Sequence, residues 1–304
     1  MKHRKYMDIE RMKDSNCLGF REGDHIVIQE KIDGANAAVR YDAETDSLAA
    51  QSRNQLLSED NTLRGFQSWV QTLDKELIRS VLGNDLIAYC EWLVPHSVEY
   101  PEERYFKAYF YDVFDRRTGM YLPQNEVRRI TDKLGFTYVL VFYDGEFLSW
   151  THCGSFVGKT ELGGEYGEGV VIKDQSRLGD VDSPMPYYIK IVDERFAETT
   201  GQYHNRNLVP KKEREPDANT ALAMTIVTKA RVEKILNKFV DEGILPENWG
   251  QNEMKIIARN LTKAVYEDCL KEEPETVRQI EGFGKAANTI AIKLVKSIIL
   301  NKLK

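Results

Sequence analysis

The residues of this 304-residue chain best suited to chemistry stand together in Glu30-Lys31-Ile32-Asp33-Gly34-Ala35-Asn36. His25-Ile26-Val27-Ile28 before them and Ala37-Ala38-Val39-Arg40-Tyr41 after them read as two strands. A lysine placed where two buried strands meet is desolvated, which disfavours its ammonium form, and the neutral amine is a nucleophile. Gly34 lets the backbone turn tightly and lets a phosphate approach with no Cβ in the way. Asp33 and Glu30 bracket the amine with carboxylates. Taken alone, K-x-D-G also fits a surface turn with solvated charges, so the reading depends on what else the chain provides.

Five more groups follow in order. Arg53 closes a strand over 48–53. Glu91 is the carboxylate of a strand over 86–93, where alternation puts it on one face with Tyr89 and Leu93, opposite Cys90 and Trp92. Segment 106–114 is dense in aromatic residues; most suit a strand core, and one ring facing a pocket could stack on a base. The glycine-rich run 163–169 leads into Val170-Val171-Ile172-Lys173, with Glu168 at its mouth, a setting for a carboxylate that meets a hydrated metal ion. The last strand, 187–192, carries Lys190, and a buried strand lysine is costly without an anionic partner.

The elements that position these groups are legible around them. Residues 1–24 are charged and irregular. A hairpin turn is expected over 42–47, and a helix from 63 to 81, introduced by capping residues in Ser58-Glu59-Asp60-Asn61 and ended by Gly83. A second helix is expected over 124–134, and then a hairpin of 137–142 with 146–150, closed by Asp144-Gly145. From Arg206 strand signals nearly vanish and helical spacing takes over at Leu222, Ile226, Ala230, Ile235 and Phe239, at 254–270, and at Ile290, Leu294, Val295 and Ile298. The chain divides into 1–205, a charged linker 206–217, and an all-helical domain 218–304.

Composition is that of an ordinary soluble chain, 42% apolar and 30% charged. It has no apolar run of membrane-spanning length and no apolar signal core near the N-terminus, so a cytoplasmic location is expected. Four cysteines spread singly read as free thiols rather than zinc ligands or disulfides. The net charge of −6 divides into −10 for residues 1–205 and +4 from Arg206 onward. An acidic front half suits metal and nucleotide handling, and a mildly basic tail suits a polyanion contact, although binding by bulk charge alone needs a far more basic domain.

In this order and at these separations the set resembles the covalent nucleotidyltransferase superfamily of ATP-dependent DNA ligases, RNA ligases and mRNA capping enzymes. The form E-K-I-D-G-A-N, and Val227-Thr228-Lys229-Ala230-Arg231-Val232-Glu233-Lys234 opening a helical tail, look like the nick-sealing RNA ligases typified by the second ligase of large bacteriophages. Helical spacing after Arg206 argues against the oligonucleotide-binding β-barrel that DNA ligases and capping enzymes carry there. The resemblance implies an α+β fold, an antiparallel-sheet nucleotidyltransferase (ATP-grasp-like ligase) domain followed by a small all-helical C-terminal domain. It implies an ATP-dependent RNA ligase that joins a 3′-hydroxyl to a 5′-phosphate through lysyl-AMP and an adenylylated RNA end.

The resemblance also implies residue roles. Lys31 would attack the α-phosphorus of ATP and hold AMP as a phosphoramidate. Glu30 and the Ile32 backbone would sit at the adenine edge, Asn36 and Arg53 near the ribose and phosphate, and Glu91 on a ribose hydroxyl. Tyr111, just before Asp112, would stack on adenine, with Phe114 before Asp115 the second choice. Glu168 would bind Mg²⁺ (or Mn²⁺), Lys190 would neutralise the α-phosphate, and Lys173 would line the same pocket. The implied partners are ATP and RNA ends, at a nicked duplex or a broken structured RNA, with a monomeric enzyme acting in RNA repair in a bacterial or phage-infected cell. The alternatives are a DNA ligase or another nucleotidyltransferase of the superfamily, and a degenerate module that binds RNA ends without turnover. One departure motivates the last: the family's final motif has lysines two apart, and here the second position is Val192, leaving Lys173 or Arg195 to compensate. Ile280-Glu281-Gly282-Phe283-Gly284-Lys285-Ala286-Ala287 reads either as a glycine hairpin gripping a phosphate backbone or, preferably, as a helix end followed by a new helix.

Overall fold

The computed structural model describes residues 2–12, 16, 19–178, 186–196 and 218–302. The linker expected over 206–217 lies outside the described residues, as does Cys17. The chain forms two compact units, Met1–Asp193 and Glu194–Lys304.

Eleven short and long strands are described in the first unit, in two sheets. One has the order β1 (Glu10–Arg11), β11 (Tyr188–Val192), β10 (Gly169–Asp174), β2 (His25–Lys31), β9 (Val141–Glu146); every pairing is antiparallel except β1 with β11. The other has the order β4 (Ser47–Ser52), β3 (Ala35–Asp42), β5 (Leu86–Trp92), β6 (Ala108–Asp115), β7 (Met120–Tyr121), with β8 (Thr137–Tyr138) added parallel to β6. The alternation of β2 explains its placement: Ile26 and Ile28 join Val170, Ile172, Ile189, Phe20 and Phe147 in one apolar cluster. The opposite face of the same strands carries Gln29, Lys31, Val171 and Lys173. In the second sheet Ala37, Val39, Ala88, Cys90 and Phe110 face helical residues such as Phe66, Val70, Ile78, Leu82, Val127 and Ile130.

Two local expectations are corrected. The single helix expected over 63–81 is two, Phe66–Val70 and Lys75–Leu82, because the Asp74 carboxylate caps a fresh start by accepting from Leu77 N at 3.0 Å. The hairpin over 137–150 does not form. β9 runs straight through Asp144 and Gly145 to pair with β2, and Trp150–Gly154 is a short helix capped by Ser149. Partner strand β2 was worth more to these aromatic residues than a turn at Asp-Gly.

The residues 2–12, read as irregular, run as a strap across the second sheet. Arg4 O accepts from Gln51 and Tyr89, Tyr6 OH donates to Asp112, Met7 N donates to Tyr121 OH, and the strap then joins the first sheet as β1. The second unit consists, among its described residues, of a three-residue helical turn, Glu194–Phe196, and helices Ala218–Ile226, Lys229–Asp241, Met254–Glu272, Pro274–Gln279 and Phe283–Lys302, with a short turn at Gln251–Glu253. Thr228 separates the first two long helices by capping Lys229–Asp241. Ile226, Leu236, Ile257, Leu261, Val265, Ala291 and Val295 are among its core.

Candidate active site

Lys31 ends β2, and its Nζ meets Glu168 Oε2 at 2.5 Å; the lysine side chain is 19% exposed and the glutamate 3%. The amine is therefore held by a carboxylate at a partly exposed position, and not by apolar burial as expected. Glu91 stands in the same field. Desolvation pushes its carboxyl up to about 7, with repulsion from Glu168 and Asp33 adding to the shift and attraction from Lys31 and His96 opposing it. Its Oε1 accepts from Gly34 N at 3.2 Å.

Asp33 and Gly34 of the K-x-D-G segment act on structure. Asp33 Oδ2 accepts from Ser97 N at 2.8 Å and Val98 N at 2.9 Å, and its Oδ1 lies 3.5 Å from His96 Nδ1. It fixes the loop after β5. At Gly34 a Cβ would meet Trp92 O at 2.6 Å, so glycine is required by the close approach of β5 rather than by a left-handed turn.

Asn36 faces Glu91 in the β3–β5 register and donates its side-chain amide to Tyr111 OH. Tyr111 owes its direction to a β-bulge. On β6, Phe110 pairs with Cys90 and Asp112 with Tyr89, which leaves Tyr111 as the extra residue. The bulge turns both Tyr111 and Asp112 away from the Phe110 face, whereas strict alternation would have separated them. Arg53 pairs with Asp8 of the N-terminal strap, close enough to Tyr111 to act on its ionisation.

Lys173, expected to line the pocket, is instead buried beneath Tyr111. Its Nζ donates to Tyr111 O at 2.7 Å and to Asp112 Oδ2 at 2.9 Å, with side-chain exposures of 1% and 0% for the ion pair. Burial lowers the lysine's pKa and Asp112 opposes that shift. Asp112 also accepts from Tyr6 OH at 2.5 Å and Gln124 Nε2 at 2.7 Å, and Gln124 Oε1 accepts from Gln29 and Tyr138. This network joins β2, β6, β10 and the helix Gln124–Leu134 beneath Tyr111. Glu30 is likewise directed elsewhere: alternation turns it from Lys31, and its carboxylate accepts from Thr160 Oγ1 at 2.6 Å and Glu161 N at 3.0 Å. Ile32 is buried.

Register places the final motif. Lys31 pairs with Gly169 and Gly169 with Val192, so the three form one row; Gln29, Val171 and Lys190 form the next. Cross-strand partners share a face. Val192 is therefore level with Lys31, and Lys190 is displaced by two residues, about 7 Å along the strand. A Cβ at Gly169 would meet Ile191 O at 2.1 Å, so the middle of the row stays without a side chain.

Sequence reading missed Tyr6, Asp8, His96 and Gln124, all of which touch the site through partners distant in the chain. Among the described residues no group of three or more His, Cys, Asp or Glu is placed to hold a metal, and no helix is long and apolar enough to cross a membrane.

A family model described as RNA ligase matches residues 24–192, the stretch that contains the whole of this constellation except Tyr6 and Asp8. The chain belongs to the RNA ligase family. That membership agrees with the nucleotidyltransferase resemblance and with the mixed α+β architecture, antiparallel sheets followed by a helical region. No curated protein matches the sequence. Solved structures similar to this RNA ligase family member include an archaeal ATP-dependent RNA ligase, 19% identical with a TM-score of 0.49, covering 97% of this chain and 66% of that one. A Naegleria gruberi RNA ligase variant with ATP and Mn is 16% identical with a TM-score of 0.47, covering 62% of this chain and 56% of that one. An apo variant of a Naegleria gruberi RNA ligase is 17% identical with a TM-score of 0.47, covering 64% of this chain and 56% of that one. The chain thus spans little more than half the length of the Naegleria proteins.

Proposed function

We propose that this protein is an ATP-dependent RNA ligase that works through lysyl-AMP. The observation that carries the reading is the contact of Lys31 Nζ with Glu168 at 2.5 Å, with Glu91 in the same electrostatic field and Asn36 bonded to Tyr111 beside it, inside the region matched by the RNA ligase model. Lys31 Nζ forms a bond to the α-phosphorus of ATP, the bond to the bridging oxygen breaks, and pyrophosphate leaves. Glu168, already in hydrogen-bond contact, is the group positioned to take the amine's proton. The RNA 5′-phosphate then displaces Lys31 from AMP, and a 3′-hydroxyl displaces AMP from the activated end.

Within this scheme Tyr111 presents a ring to adenine, Asn36 and Glu91 offer polar atoms to the ribose, and Arg53 and Lys190 supply cations for phosphate. Lys173 acts through Tyr111 and Asp112 as a positioning residue. The Ile32 backbone supplies the edge beside the base. Mg²⁺ is bound through one or two carboxylates plus substrate phosphates and water, which needs no protein cage. The oxygen donors of Glu168 fit that mode, and the ion would supply charge neutralisation at the phosphates. The nick or break in a structured RNA as substrate, the monomeric state and a role in RNA repair belong to the same proposal, as does the division into an adenylyltransferase domain over 1–205 and a helical domain over 218–304.

The test is labelling with radioactive ATP and Mg²⁺. The protein should carry the label, and Lys31→Ala should abolish it; label surviving that substitution refutes the mechanism. Val192 in the row of the nucleophile favours a second reading, an RNA-end-binding module without turnover, which absence of label from the unmodified protein would support.

A further inference from the structure

Helices Met254–Glu272 and Phe283–Lys302 carry a surface that this chemistry does not use. They pack antiparallel: Thr262 Oγ1 donates to Asn288 Oδ1 at 2.5 Å, and one turn on, the rings of Tyr266 and Phe283 lie 5.9 Å apart. On the outer side of the first helix Lys255, Arg259 and Lys263 are all exposed and recur every fourth residue, which sets them in one row. At 1.5 Å per residue the row spans about 12 Å. On the second helix exposed Lys285 and Lys296 share a side, three turns apart, with Lys296 toward the end that bears Lys255. Gly284, beside Lys285, has its missing Cβ position 3.7 Å from the ring of Tyr266.

The charge pattern of this face is one-sided. Over 283–299 the charged residues are Lys285, Lys293 and Lys296, all exposed, with no Asp or Glu among them, and the exposed Glu281 stands just before. The nearby acids on the first helix are Glu267, 3.8 Å from Lys263, and Asp268, which is turned toward Arg231 at 2.6 Å. Tyr266 sits among these cations with 39% of its surface exposed. A strand of nucleic acid presents a phosphate about every 3.4 Å of axis, three or four along such a row. The segment 280–287 is a helix end followed by a new helix, as preferred from sequence, with Gly282 at φ +67° and Lys285 N donating to Gly282 O at 2.9 Å.

The geometry points to this two-helix face as the surface by which the second unit grips an RNA phosphate backbone, with Tyr266 placed to stack on a base. The choice of RNA as the polyanion rests on the ligase reading above. Lysine and arginine at helical spacing supply the phosphate contacts, and Thr262, Asn288 and Gly284 keep the seam between the helices low and polar.

The test uses the full chain with Lys255→Glu, Arg259→Glu and Lys263→Glu combined, and a companion with glutamine at the same three positions. Binding to a nicked RNA duplex is measured by fluorescence anisotropy between 50 and 200 mM salt. Both variants should bind at least tenfold more weakly, with the slope of log K against log salt shallower by about 2 to 3, near 0.9 per lost phosphate contact. Lysyl-AMP formation without RNA should be unchanged, and helical melting should report an intact second unit. Unchanged affinity and slope in either folded variant overturns the assignment. Unchanged RNA binding with lost binding to anionic phospholipid vesicles overturns it too, in favour of a membrane surface. Failure of the unmodified protein to form lysyl-AMP, with RNA binding that still depends on the row, strikes the ligase reading alone.

Discussion

Replacing Lys173 by methionine tests the buried network beneath Tyr111. The substitution keeps volume but leaves the Asp112 carboxylate, with no exposed surface, held by the hydroxyl of Tyr6 at 2.5 Å and the amide of Gln124 at 2.7 Å. Removing one partner of a buried ion pair costs about 3 to 5 kcal/mol, because the remaining charge is uncompensated. In a unit of this size that corresponds to a fall in melting temperature of roughly 6 to 20 °C. Asp112→Asn should cost a similar amount by stranding the ammonium. The double variant removes both charges and should recover most of the loss, giving a coupling of about 2 kcal/mol or more. Tryptophan fluorescence follows the melt, since Trp69, Trp92 and Trp150 all lie in the first unit. Lysyl-AMP formation by the double variant should show a raised KM for ATP with a smaller change in kcat, as the ring of Tyr111 loses its support. Single losses below about 1 kcal/mol, or a double loss equal to their sum, refute the network as described.

Three further outcomes are expected. Glu91 titrates from 4.5 up to about 7 on folding, so the native state holds its proton more tightly, and the stability this provides is full below about pH 4.5 and lost as pH rises to 7. Glu91→Gln should flatten the melting temperature across that window and leave the unliganded protein up to about 3 kcal/mol better off at pH 8; an unchanged pH profile would refute the shift. Gly34→Ala, facing Trp92 O at 2.6 Å, should cost about 1 to 3 kcal/mol and slow lysyl-AMP formation, read by melting and by label incorporation. Val192→Lys adds a cation level with Lys31 and should lower the KM for ATP in adenylylation several-fold; no change would mean that the phosphate's charge is met elsewhere.

The groups legible in sequence are those whose local pattern carries the message. Lys31 between two strands, Glu168 before Val170-Val171-Ile172 and the helical tail could each be read from a window of ten residues. What stayed hidden depends on partners far along the chain. Nothing near Lys173 announces that Asp112 will neutralise it, and no alternation rule announces a bulge at Tyr111, because a bulge is a property of the pair of strands. Tyr6 and Asp8 lie in a stretch with neither helical nor strand periodicity, and what holds them is contact with the sheet, through Asp112 and Arg53. The hairpin at Asp144-Gly145 failed for the same reason: a favourable turn signal lost to pairing with β2.

The pairing of β1 with β11 has a consequence for how the unit is made. Glu10 lies beside Ile189, so β1 waits for a strand made some 180 residues later. Such a non-local closure slows folding and keeps the nascent unit incomplete until its last strand has left the ribosome. Deleting the first dozen residues would leave β11 as an open edge carrying Ile189 and Ile191, a template for pairing with other chains.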